Sequence, residues 1–292
     1  MGLRIQWFVL LFGVASLSLI SGCAATPGFQ TSGEFAGANF WQGNVFLRGD
    51  VIVPAGETLT IAPGTRVQFL PPDRGEDSFT DHPFFPGSEL IVYGRVVAEG
   101  TPENPIIFEA ADSQGPAGFW GAINFQEDSS GSFRHCVLTQ ADSALHSQNA
   151  SLRIENCFFS QNLVAIRFNQ TDILIRNNLI ADNQTGIRFH YGAPEIVDNI
   201  LSNNDKGIFV TSFPRDYRIS GNTIIGSRRY HVVLGEEVPD DVHMMNNYWG
   251  AGKLEEIESG MFDGRRVGYI GRVLFEPFLA SPNPAAGPTW SR

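Results

Sequence analysis

Between residues 136 and 249 the apolar positions return at a nearly fixed interval. One column reads Ile154, Ile175, Ile196, Ile219 and Met244. A second reads Phe159, Ile180, Leu201, Ile224 and Trp249, and a third Leu145, Ile166, Ile187 and Ile208, followed after an inserted residue by Val232. A polar column keeps the same beat: Cys136 and Cys157, then Asn178, Asn199, Asn222 and Asn247, in steps of 21, 21, 21, 23 and 25 residues. Asn162, Asn183 and Asn204 form another column at 21. Three short strands and the turns between them need about 20–25 residues, which is one rung of a parallel β-helix. Rungs stack at about 4.8 Å, so like residues form ladders along the axis. Asparagine suits such a ladder: it tolerates left-handed turn geometry, and its amide can donate to the carbonyl of the Asn one rung away. A leucine-rich solenoid would show a Leu-x-x-Leu-x-Leu frame, and none is present.

The first half of the chain carries the same theme with less regularity, through Thr58-Leu59-Thr60-Ile61, Val67-Gln68-Phe69, Leu90-Ile91-Val92, Ile106-Ile107-Phe108 and Trp120-Gly121-Ala122-Ile123-Asn124-Phe125. This order, with the ending Asn246-Asn247-Tyr248-Trp249-Gly250, resembles bacterial right-handed parallel β-helix repeat proteins of the pectate-lyase-like superfamily, over roughly residues 45–280. The repeats also resemble those of the periplasmic copper-accessory protein of nitrous-oxide reductase operons, although no Met- or His-rich copper tract accompanies them. The resemblance implies an all-β, right-handed parallel β-helix and leaves activity open, since such repeats serve lyases, epimerases and binding modules. Residues 253–261 are the one helix expectation, with Leu254, Ile257 and Met261 on one side, placed as a C-terminal cap.

The first 20 residues bring in a different chemistry. Arg4 precedes a mostly apolar run from Trp7 to Ile20, too short to span a bilayer comfortably. Leu19-Ile20-Ser21-Gly22-Cys23 then resembles the lipobox of bacterial lipoproteins, in which the chain is cut before the cysteine and the cysteine is acylated. Ala24, where an Asp would signal inner-membrane retention, resembles the outer-membrane pattern. The expected organisation is a signal at 1–22, a lipid-anchored tether at 23–44, a β-helix at 45–250 and a cap and tail at 251–292. Only Cys136 and Cys157 remain beyond the anchor, without CxxC or zinc spacing, and their parallel side chains favour free thiols over a bridge. The net charge of −11 opposes nucleic acid, and no cofactor signature is present.

Chemistry concentrates on one face. Alternation in Gly186-Ile187-Arg188-Phe189-His190 turns Arg188 and His190 outward, and neighbouring repeats add His146 and Gln148, Arg167 and Asn169, Phe209 and Thr211. Two arginines stacked on adjacent rungs without an acid between them call for an anionic ligand or a bridging carboxylate. A second candidate is the insertion at 71–87, whose Phe79, Phe84 and Phe85 stand among Asp73, Glu76, Asp77 and Asp81, a mixture suited to docking a protein or stacking a sugar. Insertions are also expected at 211–217 and 235–241. Catalysis would need a base such as Arg188, His190 or Tyr191 beside Arg167. The acid cluster, Gly-His-Gly and Asp-Pro-His motifs of related enzymes do not occur. The reading is an outer-membrane lipoprotein that binds an envelope polysaccharide or protein without catalysis. The alternatives are a lyase or epimerase on an acidic glycan and a structural subunit of an envelope complex.

Overall fold

A computed structural model describes residues 29–34, 39–73, 75, 77, 80–250 and 252–291; Cys23 and Phe79 lie outside them. The chain winds as a three-sided solenoid in which every strand pairing is parallel. One side is an eight-stranded sheet running from Phe40–Trp41 through Ser151–Glu155 to Arg218–Ser220. The other two sides share a bent sheet, because Asn44–Val53 turns at Gly49 (φ 68°) and pairs with Arg66–Leu70 on one side and Glu89–Val92 on the next. Over the described residues the structure is an all-β parallel β-helix with one short helix near its C-terminal end.

Alternation decides what fills the interior. Ile154, Ile175 and Ile196 stack under one side, and Leu145, Ile166, Ile187, Ile208 and Val232 under another, all buried. Phe168 and Phe189 occupy equivalent places on consecutive rungs and stack with ring centres 4.9 Å apart. Each such side chain is removed from water, and burying it contributes about 1.5–3 kcal/mol. Cys136 and Cys157 are buried free thiols. Burial, and then the neighbouring Cys157, push the Cys136 thiol well above its ordinary pKa.

The asparagine ladder forms, with its geometry shifted by one residue from expectation. Asn178, Asn199, Asn222 and Asn247 are fully buried, and the left-handed backbone belongs to the residues just before them: Asn177 (φ 53°), Asp198 (55°), Gly221 (72°) and Asn246 (59°). The preceding residue makes the corner, which frees the ladder amide to point inward. Asn199 Oδ1 accepts from the N–H and the amide of Asn178, at 3.0 Å each, while Asn199 donates to Asn222 Oδ1 and to the Ile175 carbonyl. Asn162, Asn183 and Asn204 repeat the device at a second corner. Gly221 takes this corner where its neighbours carry side chains; a Cβ there would press on the Asp198 carboxylate, which would have to shift.

Three other expectations change at the edges. The helix spans Leu254–Ser259, shorter than 253–261: Gly260 ends it, Met261–Phe262 pairs with Tyr230–Glu237 as a last strand, and Leu254 is exposed while Ile257 is buried. Strands continue through Ser212 and Glu237, so the insertions at 211–217 and 235–241 are shorter than read. At the opposite end Phe29–Glu34, within the segment read as tether, pairs with Asn44–Val53. The C-terminal tail runs back over the corner column: Asn283 bonds Asp198 and Gly221, Thr289 bonds Asn156, and the Trp290 indole donates to the Asn156 carbonyl at 2.6 Å.

Candidate functional site

The side formed by Ala141–Gln148, Val164–Asn169, Thr185–His190, Lys206–Ser212 and Tyr230–Glu237 carries two outward columns. In-register pairing places Asn124, His146, Arg167, Arg188 and Phe209 in one. Gln148, Asn169, His190 and Ser212 form the other. The seven face residues read from the sequence are thus brought together. A bulge after Phe189 sets Ser212, rather than Thr211, beside His190. Thr211 instead donates to the Phe189 carbonyl.

His146 points outward as expected, yet it is 1% exposed. The inserted segment folds over it, with the Phe85 ring edge-on to the imidazole at 4.9 Å and His82 at 5.9 Å. Phe85 is therefore buried against the face rather than offered to a partner, and Phe84 is half-buried. The cover is tied down by polar groups of the rungs below: Phe85 N–H donates to Glu89 Oε2 (3.2 Å), and Asn124 Nδ2 donates to the Pro83 carbonyl (2.9 Å) and Glu89 Oε1 (3.2 Å). Asn124 Oδ1 takes hydrogen bonds from Gln126 (2.8 Å) and His146 Nδ1 (2.8 Å). With Nδ1 acting as donor, Nε2 of the neutral His146 ring carries the lone pair. Burial pushes the Glu89 carboxyl up to about 9, helped by Asp50 and Asp77 and opposed by the bonds from Phe85 and Asn124. At neutral pH it is an uncharged acid.

Beside this covered floor lie the two arginines. On the eight-stranded side arginines find carboxylates: Arg153 with Asp172 (3.4 Å), Arg218 with Glu195 (2.7 Å), and Arg134 and Arg176 with Glu155. Arg167 and Arg188 have no such ion pair among the described residues. Aromatic rings flank them instead, Phe85 at 5.5 Å from the Arg167 guanidinium and Phe209 at 5.2 Å from that of Arg188, with the Lys206 ammonium 5.1 Å from Phe209. Arg188 Nε and Asn169 Oδ1 are buried without a hydrogen-bond partner among the described residues. Burial lowers the pKa of both guanidiniums, and for Arg167 the charge of Arg188 lowers it further while Asp142 opposes. His82, His146 and His190 are all pushed below the ordinary imidazole value, by burial first and then by the arginines. Imidazoles in that state are neutral at pH 7 and accept protons readily only once the positive charge beside them is matched.

Residues 115–235 match the family model of the right handed beta helix region. The match spans the rungs that hold the arginine face and agrees with the parallel pairing described above. No curated protein and no solved structure matches the chain. Glu89, Asn124 and His82 were not read as site residues from the sequence. Asn124 occupies an outward position of an alternating strand, but 22 residues separate it from His146 and the regular period has not yet begun there. Among the described residues, no group of three His, Cys, Asp or Glu side chains is placed to hold a metal ion.

Proposed function

We propose that this protein is a lipid-anchored β-helix of the outer membrane whose arginine face binds the carboxylates of an acidic envelope polysaccharide. The observation that carries the reading is the pair Arg167 and Arg188, half-buried on adjacent rungs with no ion pair and a buried, unpartnered Arg188 Nε among the described residues, and only the more distant charge of Asp142 opposing Arg167. An arrangement of this kind is unfavourable while empty and becomes favourable when an anion supplies the missing acceptors. Phe85 and Phe209 hold the guanidiniums in place, so little further ordering is needed on binding. Arg167→Ala with Arg188→Ala should abolish binding of polygalacturonate or alginate that weakens with salt, while the thermal transition stays put, because neither side chain enters the core. Unchanged affinity in the double variant would remove the face from consideration.

A second reading rests on the three neutral imidazoles around the same arginines. In a lyase or epimerase, Arg167 would neutralise a uronate carboxylate and His190 would take the proton next to it. Release of unsaturated or epimerised sugar, lost in His190→Ala, would favour this reading over simple binding.

A further inference from the structure

The arginine face continues at the C-terminal ends of its strands into a cavity of about 410 Å³ lined by Gln170, Tyr191, Gly192, Phe213, Arg215 and Asp216. We infer that this cavity is a second subsite of the same ligand, taking the next sugar of an acidic oligosaccharide whose first carboxylate lies on Arg167 and Arg188; the inference rests on the anionic-glycan reading above. Four observations support it.

Tyr191 is 45% exposed and sits at φ 52°, a left-handed conformation unusual for a bulky residue, followed by Gly192 at φ 86°. The equivalent corners one and two rungs below carry Gln170 and Asn149, polar residues at home in that geometry. An aromatic ring held out at such a corner suits the apolar face of a sugar. Arg215 places a positive charge in the cavity and forms no ion pair among the described residues, and its backbone N–H fastens the segment to the Gly192 carbonyl at 2.9 Å. Asp216, beside it, can accept sugar hydroxyls.

The two places are joined through one polar chain. His190 Nδ1 lies 3.4 Å from Ser212 Oγ, Ser212 donates to Glu237 Oε2 at 2.6 Å, and the Tyr191 hydroxyl reaches the same oxygen at 3.5 Å. Three residue steps lead from Arg188 to Tyr191, roughly 10 Å along the chain. A single uronate seated on the arginines does not extend that far, whereas a chain of them does.

The test measures affinity of the mature protein for galacturonate and mannuronate as monomers and as tetramers. The native protein should hold a tetramer about tenfold or more tighter than the monomer. Tyr191→Asn keeps the left-handed corner and removes the ring. With Arg215→Gln it should bring the tetramer down to the monomer's affinity while leaving monomer binding unchanged. Arg167→Ala should weaken both. Equal affinity for monomer and tetramer in the native protein, or full tetramer affinity in the Tyr191 and Arg215 variants, would overturn the second subsite and leave the arginine reading standing. Absence of binding to any of the four would overturn both.

Discussion

At the scale of single residues, the groups around the arginine face are set by what covers them. Glu89 is the sharpest instance: a carboxyl at 0% exposure whose pKa stands near 9 against an ordinary value of 4.5. Its folded pKa lies above its unfolded one, so the folded state holds the proton more tightly. The corresponding stability is complete below about pH 4.5 and is lost as pH rises toward 9, at about 1.4 kcal/mol per pH unit. Glu89→Gln should remove that slope. Urea denaturation at pH 5 and pH 8 should show the native protein losing a few kcal/mol more than the variant between the two; parallel losses would contradict an uncharged Glu89. Nothing in the local sequence Ser88-Glu89-Leu90 announces this, because the burial comes from Phe85 and Asn124, delivered from a loop and from another rung. His146 was equally half-legible. Strand alternation gave its direction, but its cover is a long-range contact that periodicity does not encode.

At the scale of elements, the corner stacks hold the rungs in register. Repetition at 21 residues made them readable from 136 to 199, and steps of 23 and 25 carry the column on to Asn247; before residue 115 the segment at 71–87 breaks the spacing and only strand-like runs survive. The residue that makes each corner was harder to see, since Asn, Asp and Gly share that position while the conspicuous Asn column lies one place later. Asn199 stands between Asn178 and Asn222 with its acceptor and donors all engaged. Asn199→Leu leaves two donors of Asn178, the Ile175 carbonyl and Asn222 Oδ1 each short of a partner inside the wall. The expected cost is about 2–4 kcal/mol, from buried groups left unsatisfied rather than from backbone strain. Asn169, whose Oδ1 lacks a partner among the described residues, should tolerate Ser within about 0.5 kcal/mol. Equal shifts in the denaturation midpoints of the two variants would mean that the ladder does not carry the register.

At the scale of the whole molecule, the solenoid converts chain order into distance from its N-terminal end. The arginine face belongs to the rungs of Val164–Asn169 and Thr185–His190, four and five rungs beyond Asn44–Val53, so Arg188 stands roughly 24 Å along the axis. Phe29–Glu34 pairs onto that first rung, and six residue steps of at most about 3.6 Å each lead from Cys23 to Phe29. If Cys23 is acylated, its covalent reach holds the first rung within about 22 Å of the membrane surface, and the arginine face within about twice that. A polymer bound there would be held close to the bilayer by a rigid post rather than by a long free linker. Several acyl chains at about 0.8 kcal/mol per buried CH₂ make such attachment stable. Cys23→Ala should therefore transfer the protein from the membrane fraction to the soluble fraction, or leave an uncleaved precursor, and the lipid-sized mass on the mature N-terminus should vanish. Binding of uronate tetramers by the released variant should match that of the native protein, since the face and the anchor share no residue. Continued membrane attachment of Cys23→Ala, with no acyl mass on the native chain, would end the lipoprotein reading and leave the arginine face to be judged by its ligand alone.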